Sequence, residues 1–316
     1  MNAAAMSESV SDYTGFDFAA LWPGREKVTE VERAIVSGAL RDGDCRRILE
    51  VGTGFGRLLG ALTELSDEVV ATDFDLPGLM RLPGIGSTSN PMRVAANVYH
   101  LPFADGAFTS ATMVRVYHHL SQPERALQEV ARVLRGGGRL VISYNPKPSL
   151  GTFVNDVQRA IHPSARARFR SITFTAGPTV LDPDPFPIFV SDRPAFERTV
   201  SASGFRPGVE VVSGLEEYYL MRHVPARWFV RIGTAFGRAP AFPARFATLS
   251  RPGSDSSSLP PLRELFSCPR CGSPRPEWGL SGPLECDRCP FSGKRHNGVL
   301  DLRYVPEGAT RWEPGK

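Results

Sequence analysis

Arg47-Ile48-Leu49-Glu50-Val51-Gly52-Thr53-Gly54-Phe55-Gly56 is followed at once by Arg57-Leu58-Leu59-Gly60-Ala61-Leu62. A short apolar run that ends in three alternate glycines and then switches to helical spacing (Leu58, Leu62, Leu65) predicts a buried strand, a tight turn and a helix. Side chains are absent at Gly52, Gly54 and Gly56, so backbone can approach a ligand closely while the N–H groups of the helix start face it. The dinucleotide fingerprint begins the same way, but it wants a small residue where Arg57 stands and has no use for a carboxylate before the first glycine. Glu50 is such a carboxylate, better matched to a ligand carrying a cation than to a pyrophosphate.

Downstream companions extend the pattern. Val69-Val70-Ala71-Thr72-Asp73-Phe74-Asp75 is a β-branched strand closing on two carboxylates, and Asp73 lies 21 positions after Gly52. At that spacing a doubly wound fold brings an acidic side chain to a ribose diol. Asp75 reads as the cap of the helix announced by Pro77. Arg93 to Phe103 (Arg-Val-Ala-Ala-Asn-Val-Tyr-His-Leu-Pro-Phe) supplies a third strand, and Thr109 to Val116 a fourth. Tyr117-His118-His119-Leu120 follows, then a helix opened by Ser121-Gln122-Pro123-Glu124 in a capping-box pattern and stopped by Gly136-Gly137-Gly138. Arg139 to Tyr144 is a fifth strand.

These stretches together resemble class I S-adenosylmethionine-dependent methyltransferases, in particular the ubiquinone-biosynthesis-like group (methyltransferase type 11). The resemblance rests on the acidic residue before Gly-x-Gly-x-Gly, the Leu101-Pro102-Phe103 segment, the His-His-Leu segment and the Arg132-Val-Leu-Arg-Gly-Gly-Gly-Arg-Leu140 run. It implies a cofactor site made of Glu50, Gly52, Thr53, Gly54, Gly56, Asp73, Phe74, Asn97, Val98 and Arg115. Asn97 stands where an Asp is usual and is expected to touch the adenine amino group through its amide oxygen. Thr109 is a second departure from a usual Asp, at a strand entry away from the ligand. His118 and His119, at the ligand-binding edge of a parallel sheet, are candidate catalytic bases or substrate contacts. They serve equally well to cap the next helix and fill space beneath the cofactor.

The remainder is organised around this unit. With 41% apolar and 22% charged residues the composition is that of a globular protein with one sizeable core and an appendage. No apolar run approaches a membrane span. Residues 1–12 read as a disordered tail rather than a signal peptide, which points to the cytoplasm. A formal charge of +4 and a pI of 8.9 are too mildly basic to argue for nucleic acid as the main partner. The aromatics Tyr13, Phe16, Phe18 and Trp22 are expected to anchor an N-terminal arm, with a ligand lid as the alternative, and Val28, Val31 and Ile35 line one helix face. Residues 145–190, rich in proline, arginine and phenylalanine, are expected to form a substrate cap. Val209–Val212 and Glu216–Met221 read as the antiparallel pair that completes the sheet.

A serine-rich stretch (251–261), with four serines among the five residues 254–258, reads as a linker. Beyond it come Cys268-Pro-Arg-Cys271, 14 intervening residues, and Cys286-Asp-Arg-Cys289. Two such knuckles let four thiolates close a tetrahedron around Zn²⁺ in a module too short to fold on apolar burial alone. Cys45 is left over, which favours a metal in a reducing compartment over disulfides. Gly298-Val-Leu-Asp-Leu302 resembles the close of the zinc ribbons attached to many bacterial methyltransferases. A four-thiolate shell leaves no position open for chemistry, so the ribbon is structural or a docking element.

The expected architecture is α/β: a doubly wound, mainly parallel seven-stranded sheet in the order 3-2-1-4-5-7-6, that order being implied by the resemblance, plus a small C-terminal zinc ribbon. The boundaries are a tail and arm (1–27), the methyltransferase domain (28–250), the linker (251–261), the ribbon (262–304) and a tail (305–316). The linker is expected to insulate the ribbon from the sheet. The expected activity is S-adenosylmethionine-dependent methylation of a small molecule. The alternatives are a tRNA or rRNA methyltransferase that docks nucleic acid through ribbon and cap, and a non-catalytic scaffold.

Overall fold

The computed structural model describes residues 9–83, 90–146, 179–180, 187–188, 191–214, 216, 223–237, 239, 244–255, 258–279 and 282–312. In chain order the elements are β1 (Ser9–Ser11), α1 (Glu26–Arg41), β2 (Ile48–Val51), α2 (Leu59–Thr63), β3 (Val69–Asp73), α3 (Leu76–Arg81), β4 (Met92–Ala95), β5 (Phe108–Met113), α4 (Pro123–Val133) and β6 (Leu134–Tyr144). They continue with β7 (Thr179–Val180), β8 (Pro187–Ile188), α5 (Arg193–Ala202), β9 (Arg206–Ser213), α6 (Ala226–Ala235), β10 (Ala244–Ser250), β11 (Lys294–His296), β12 (Val299–Asp301) and β13 (Thr310–Trp312). Apart from Asn145, Pro146 and the short β7–β8 pair, the expected cap lies outside the described residues.

One sheet runs β11-β12-β4-β3-β2-β5-β6-β10-β9. From β4 onward this is the expected seven-strand order, parallel through β6, with β10 antiparallel to both β6 and β9. Every residue of β2 and of β5 is buried, as a strand covered on both faces requires. Helix α1 buries Val28, Val31, Ile35, Val36 and Leu40, the face that the spacing predicted. Thr109, where the resemblance leads to an Asp, fastens β5 to β2: its Oγ1 donates to Arg47 O (3.0 Å) and accepts from Arg47 N (3.1 Å).

Several local expectations are corrected. The seventh strand is β10, whereas residues 217–222 lie outside the described residues. Flanked by β6 and β9, β10 buries Arg245, Phe246, Ala247 and Leu249, adjacent as well as alternate positions and a charged one among them, so no strict period of two announces it. The N-cap of α4 is Gln122, not Ser121, and no side chain caps it; the Ser121 hydroxyl instead lies 3.3 Å from the Tyr99 hydroxyl. Gly136, Gly137 and Gly138 do not separate helix from strand but lie within β6. A side chain on Gly138 would meet Arg135 O at 2.8 Å and Thr109 O at 3.1 Å, so glycine lets the strand begin directly after the helix.

The largest correction concerns the ribbon, which is not insulated. Strand β12 adds to the sheet edge in parallel with β4, pairing Val299 with Arg93, Leu300 with Val94 and Asp301 with Ala95. Phe266, Trp278, Leu284, Phe291, Leu300 and Leu302 share one apolar cluster with Leu101, Phe103, Phe108 and Tyr117. Main-chain bonds also run from Ala104 N to Leu265 O (2.8 Å) and from Ser267 N to Pro102 O (3.1 Å). The connector itself is pinned along β6, through Arg251 N to Gly138 O (2.8 Å) and Asp255 N to Gly136 O (3.3 Å). None of the described helices is long and apolar enough to cross a membrane.

Candidate cofactor site and metal centre

The glycine turn sits at the carboxyl end of β2, between β3 and β5 in the sheet, where ligands of open α/β sheets bind. Gly52, Gly54 and Gly56 all have positive φ (74°, 55° and 80°), a backbone that other residues rarely adopt. Thr72 O accepts from both Gly52 N (2.8 Å) and Thr53 N (2.9 Å), curling the turn back over β3. Asp73 completes the tie: Oδ2 accepts from Gly54 N at 2.7 Å, and Oδ1 from Asp75 N at 2.9 Å. Burial raises the Asp73 carboxyl above its ordinary range, opposed by those two N–H groups. Asp75 stands at the expected N-cap position of α3, but its side chain makes no capping hydrogen bond.

Glu50 is buried, and its Oε2 has no hydrogen-bond partner among the described residues; nor has the buried Thr53 Oγ1. Burial pushes the Glu50 carboxyl up to about 8, against the opposing pull of the neighbouring Thr53 hydroxyl and of Arg57. A buried acceptor left without a donor beside a glycine turn is suited to a ligand that brings a cation.

Arg57 is the residue that departs from the dinucleotide pattern, and the structure gives its reason. Its guanidinium is nearly buried and pairs with Glu32 of α1, which also receives Arg115 (Nη2–Oε1 2.8 Å). Burial alone would raise the Glu32 carboxyl, but the fields of Arg115 and Arg57 outweigh it and hold it below its usual value. Trp22 of the N-terminal arm lies over this cluster, with Arg57 at 4.9 Å and Arg115 at 5.1 Å from its ring centroid, and it leans on Phe55 of the glycine turn at 5.6 Å. The arm therefore reaches the glycine turn at Phe55 as well as packing on the Glu32–Arg57–Arg115 cluster. Glu32 and Arg57 give no local signal as site residues because each acts through a partner distant in sequence, whereas Trp22 is among the aromatics expected to anchor the arm or form a lid.

Arg115 adopts φ 61° and its N–H donates to Ser143 Oγ (2.7 Å), turning the chain so that Val116 packs on Gly52. This brings the 3-10 turn Tyr117–His119 beside the glycine turn. His118 is buried, with its Nδ1 unpartnered among the described residues; burial, together with His119 and Arg115, holds it well below the usual histidine value and therefore neutral. His119 packs against His118 (4.1 Å) and Tyr13 (5.3 Å).

Phe74 and Asn97 lie just past the carboxyl ends of the adjacent strands β3 and β4, with Val98 half-buried beside them. Asn97 has 0% of its surface exposed. Its Oδ1 accepts from Tyr99 N (3.1 Å), and its Nδ2 donates to Tyr304 O (2.9 Å) in the segment after the ribbon. Arg303 donates through Nη1 to Phe74 O (3.2 Å) and lies 5.3 Å from that ring's centroid. Sequence reasoning missed Arg303 and Tyr304, for which no local signal exists.

The four predicted ligands converge: Sγ atoms of Cys268, Cys271, Cys286 and Cys289 all lie within 4.8 Å of one another. A Zn–S bond of about 2.3 Å in a regular tetrahedron places its sulfurs about 3.8 Å apart. Cys268–Cys289 at 3.6 Å and Cys271–Cys286 at 3.7 Å agree with this, and all four are free thiols. Burial raises Cys268 to about 12; burial raises Cys286 too, but the Arg275 guanidinium reverses this and brings it down to about 5. The donor set fits Zn²⁺ in a closed, structural shell.

The sheet order and the glycine site define the Rossmann-like fold of class I methyltransferases. Residues 49–142 match the family described as a methyltransferase domain. Among curated relatives, the chain is similar to demethylmenaquinone methyltransferases: 36% identical over 113 residues to that of Thermus thermophilus, covering 34% of this chain and 51% of the relative. The similarity to that of Thermobifida fusca is 31% over 145 residues, covering 45% and 60%. The chain thus spans about half to three fifths of the length of these relatives. Among solved structures, a complex between the Haloferax volcanii Trm112 methyltransferase activator and a putative methyltransferase has a TM-score of 0.50 at 16% identity, covering 76% of this chain and 99% of that one. At that identity the likeness carries the fold.

Proposed function

We propose that the chain transfers the methyl group of S-adenosylmethionine to a small-molecule acceptor. The observation that carries this reading is the buried, unpartnered Glu50 Oε2 at a turn of three positive-φ glycines, within the segment that matches a methyltransferase family. A donor bound here would lie over the glycines and present its ammonium to Glu50, the N–H groups of Gly52, Thr53, Gly54 and Gly56 being taken up within the protein. Its ribose would meet Asp73 and its adenine the Phe74–Val98 side, with Arg115 holding the β5 end closed on the turn.

When bound, the sulfonium supplies an activated methyl group together with its own leaving group. The chain's part is to hold the methyl carbon in line with the acceptor and to exclude water, for which the Trp22 arm is well situated. The burial and the Arg115 charge that keep His118 neutral also oppose its taking a proton, so His118 fills space beside the turn and leaves the base role, where an acceptor needs one, to His119. Cys268, Cys271, Cys286 and Cys289 would hold one Zn²⁺, and four reduced cysteines suit the cytoplasm.

The experiment is incubation with methyl-labelled donor and a panel of acceptors headed by demethylmenaquinone, the compound in the relatives' name, with bulk RNA in parallel. Label is expected in a small molecule. Label in RNA alone would contradict the acceptor class, and donor binding without transfer to any acceptor would contradict catalysis.

A further inference from the structure

We infer that the segment following the ribbon, Leu302 to Tyr304, supports the adenine-side wall of the cofactor site, so that folding of the ribbon on its metal sets donor affinity at the glycine turn. This rests on the reading of that turn as the donor site. Phe74 and Asn97 end neighbouring strands, and consecutive residues of one segment hold them: Arg303 bonds to Phe74 O, and Tyr304 O receives the Asn97 amide. Arg303 is itself fixed by Asp301, at 2.8 and 2.7 Å. The segment's register is set by β12, whose Asp301 pairs with Ala95, and by Leu302 N donating to Ala95 O at 2.9 Å.

The metal knuckles reach the same segment. Arg270, between two of the cysteines, lies 6.0 Å from the Tyr304 ring centroid, and Phe291, two residues after Cys289, meets that ring edge-on at 6.3 Å. Phe291 O accepts from Cys286 N (2.9 Å). A ribbon without metal lacks the cross-link that holds these loops, because its own strands span three residues each. Asn97 then has a chemical reason to be an amide: an aspartate could accept from Tyr99 N but could not donate to Tyr304 O.

The test is an S-adenosylhomocysteine titration of the full-length, zinc-loaded protein against its Asn97→Asp, Arg303→Met and Cys286→Ser variants. If Asn97 served the adenine amine directly, a carboxylate acceptor would bind as well or better; if it clasps Tyr304, Asn97→Asp loses a donor and sets a charge against a carbonyl. We expect affinity to fall about tenfold in Asn97→Asp and several-fold in Arg303→Met, both retaining zinc, and about tenfold or more in zinc-free Cys286→Ser. Affinity within twofold of wild type in Cys286→Ser, or undiminished in Asn97→Asp, overturns the inference. Hydrogen exchange without ligand separates it from the site assignment: loss of protection at residues 74 and 96–99 in Cys286→Ser is expected. Unchanged protection there overturns the inference, whereas a wild-type protein that binds no S-adenosylhomocysteine overturns the assignment of the turn.

Discussion

A Cβ on Gly52 would stand 2.1 Å from Cγ2 of Val116, so the end of β5 closes on the glycine turn with no room for a side chain. Gly54, in the same turn, has nothing within 4 Å of its would-be Cβ. Gly54→Ala therefore meets only the backbone cost of positive φ, about 1–3 kcal/mol. Gly52→Ala meets that cost and the clash. Denaturant midpoints should rank Gly52→Ala well below Gly54→Ala; equal loss in the two would contradict the packing of Val116 on the turn.

Glu32 neutralises two arginines from within the core. Replacing it by Gln leaves Arg57 nearly buried without its partner, and removing one member of a buried pair costs about 3–5 kcal/mol. Because Arg115 and Arg57 hold the carboxyl below its unfolded value despite burial, its contribution is present above the unfolded carboxylate range and lost as pH falls through the folded pKa. Chemical denaturation of wild type and Glu32→Gln should therefore converge as the solution is acidified below pH 4.

Glu50 works in the opposite sense. Raised by burial to about 8, it is mostly protonated at pH 7 in the free protein, and an ammonium beside it would pull the pKa back down. Donor binding should release a proton, and affinity should rise with pH up to about 8. Calorimetry in two buffers of different ionisation heat measures that proton. Its absence in wild type, or its persistence in Glu50→Gln, would remove Glu50 from the site.

How much of this was legible depended on range in sequence. The strand, turn and helix from Ile48 to Thr63 could be read because each step is decided by its neighbours, and the cysteine pairs because metal geometry fixes their spacing. Strand β12 is three residues long, and its partner β4 lies about two hundred positions earlier, so nothing near Val299 announces that the ribbon joins the sheet. Arg57 could be recognised as a departure from a glycine pattern, but its reason, Glu32 in the preceding helix, emerges only in three dimensions. Asn97 was expected to offer its amide oxygen to an adenine amine, but that oxygen accepts from Tyr99 N and the amide nitrogen donates to Tyr304 O, a partner about two hundred positions away.

Asp73 is best tested by the isosteric change. Asn in its place keeps an oxygen for one main-chain donor, sets its amide NH2 against the other and loses the charge that a ribose diol would meet, so stability should fall by about 1–3 kcal/mol and cofactor affinity by about 1.5–3 kcal/mol. Thermal melting and calorimetric titration together check this. Unchanged affinity would take Asp73 out of the ribose role.

The account's central claim is that the turn Gly52 to Gly56, backed by Glu50 and Asp73, holds S-adenosylmethionine. Calorimetric titration of the full-length protein with S-adenosylhomocysteine tests it most directly. The account predicts saturable binding at one site per chain, lost in Gly52→Ala and weakened in Asp73→Asn. No binding to wild type, or binding that Gly52→Ala leaves unchanged, would contradict it.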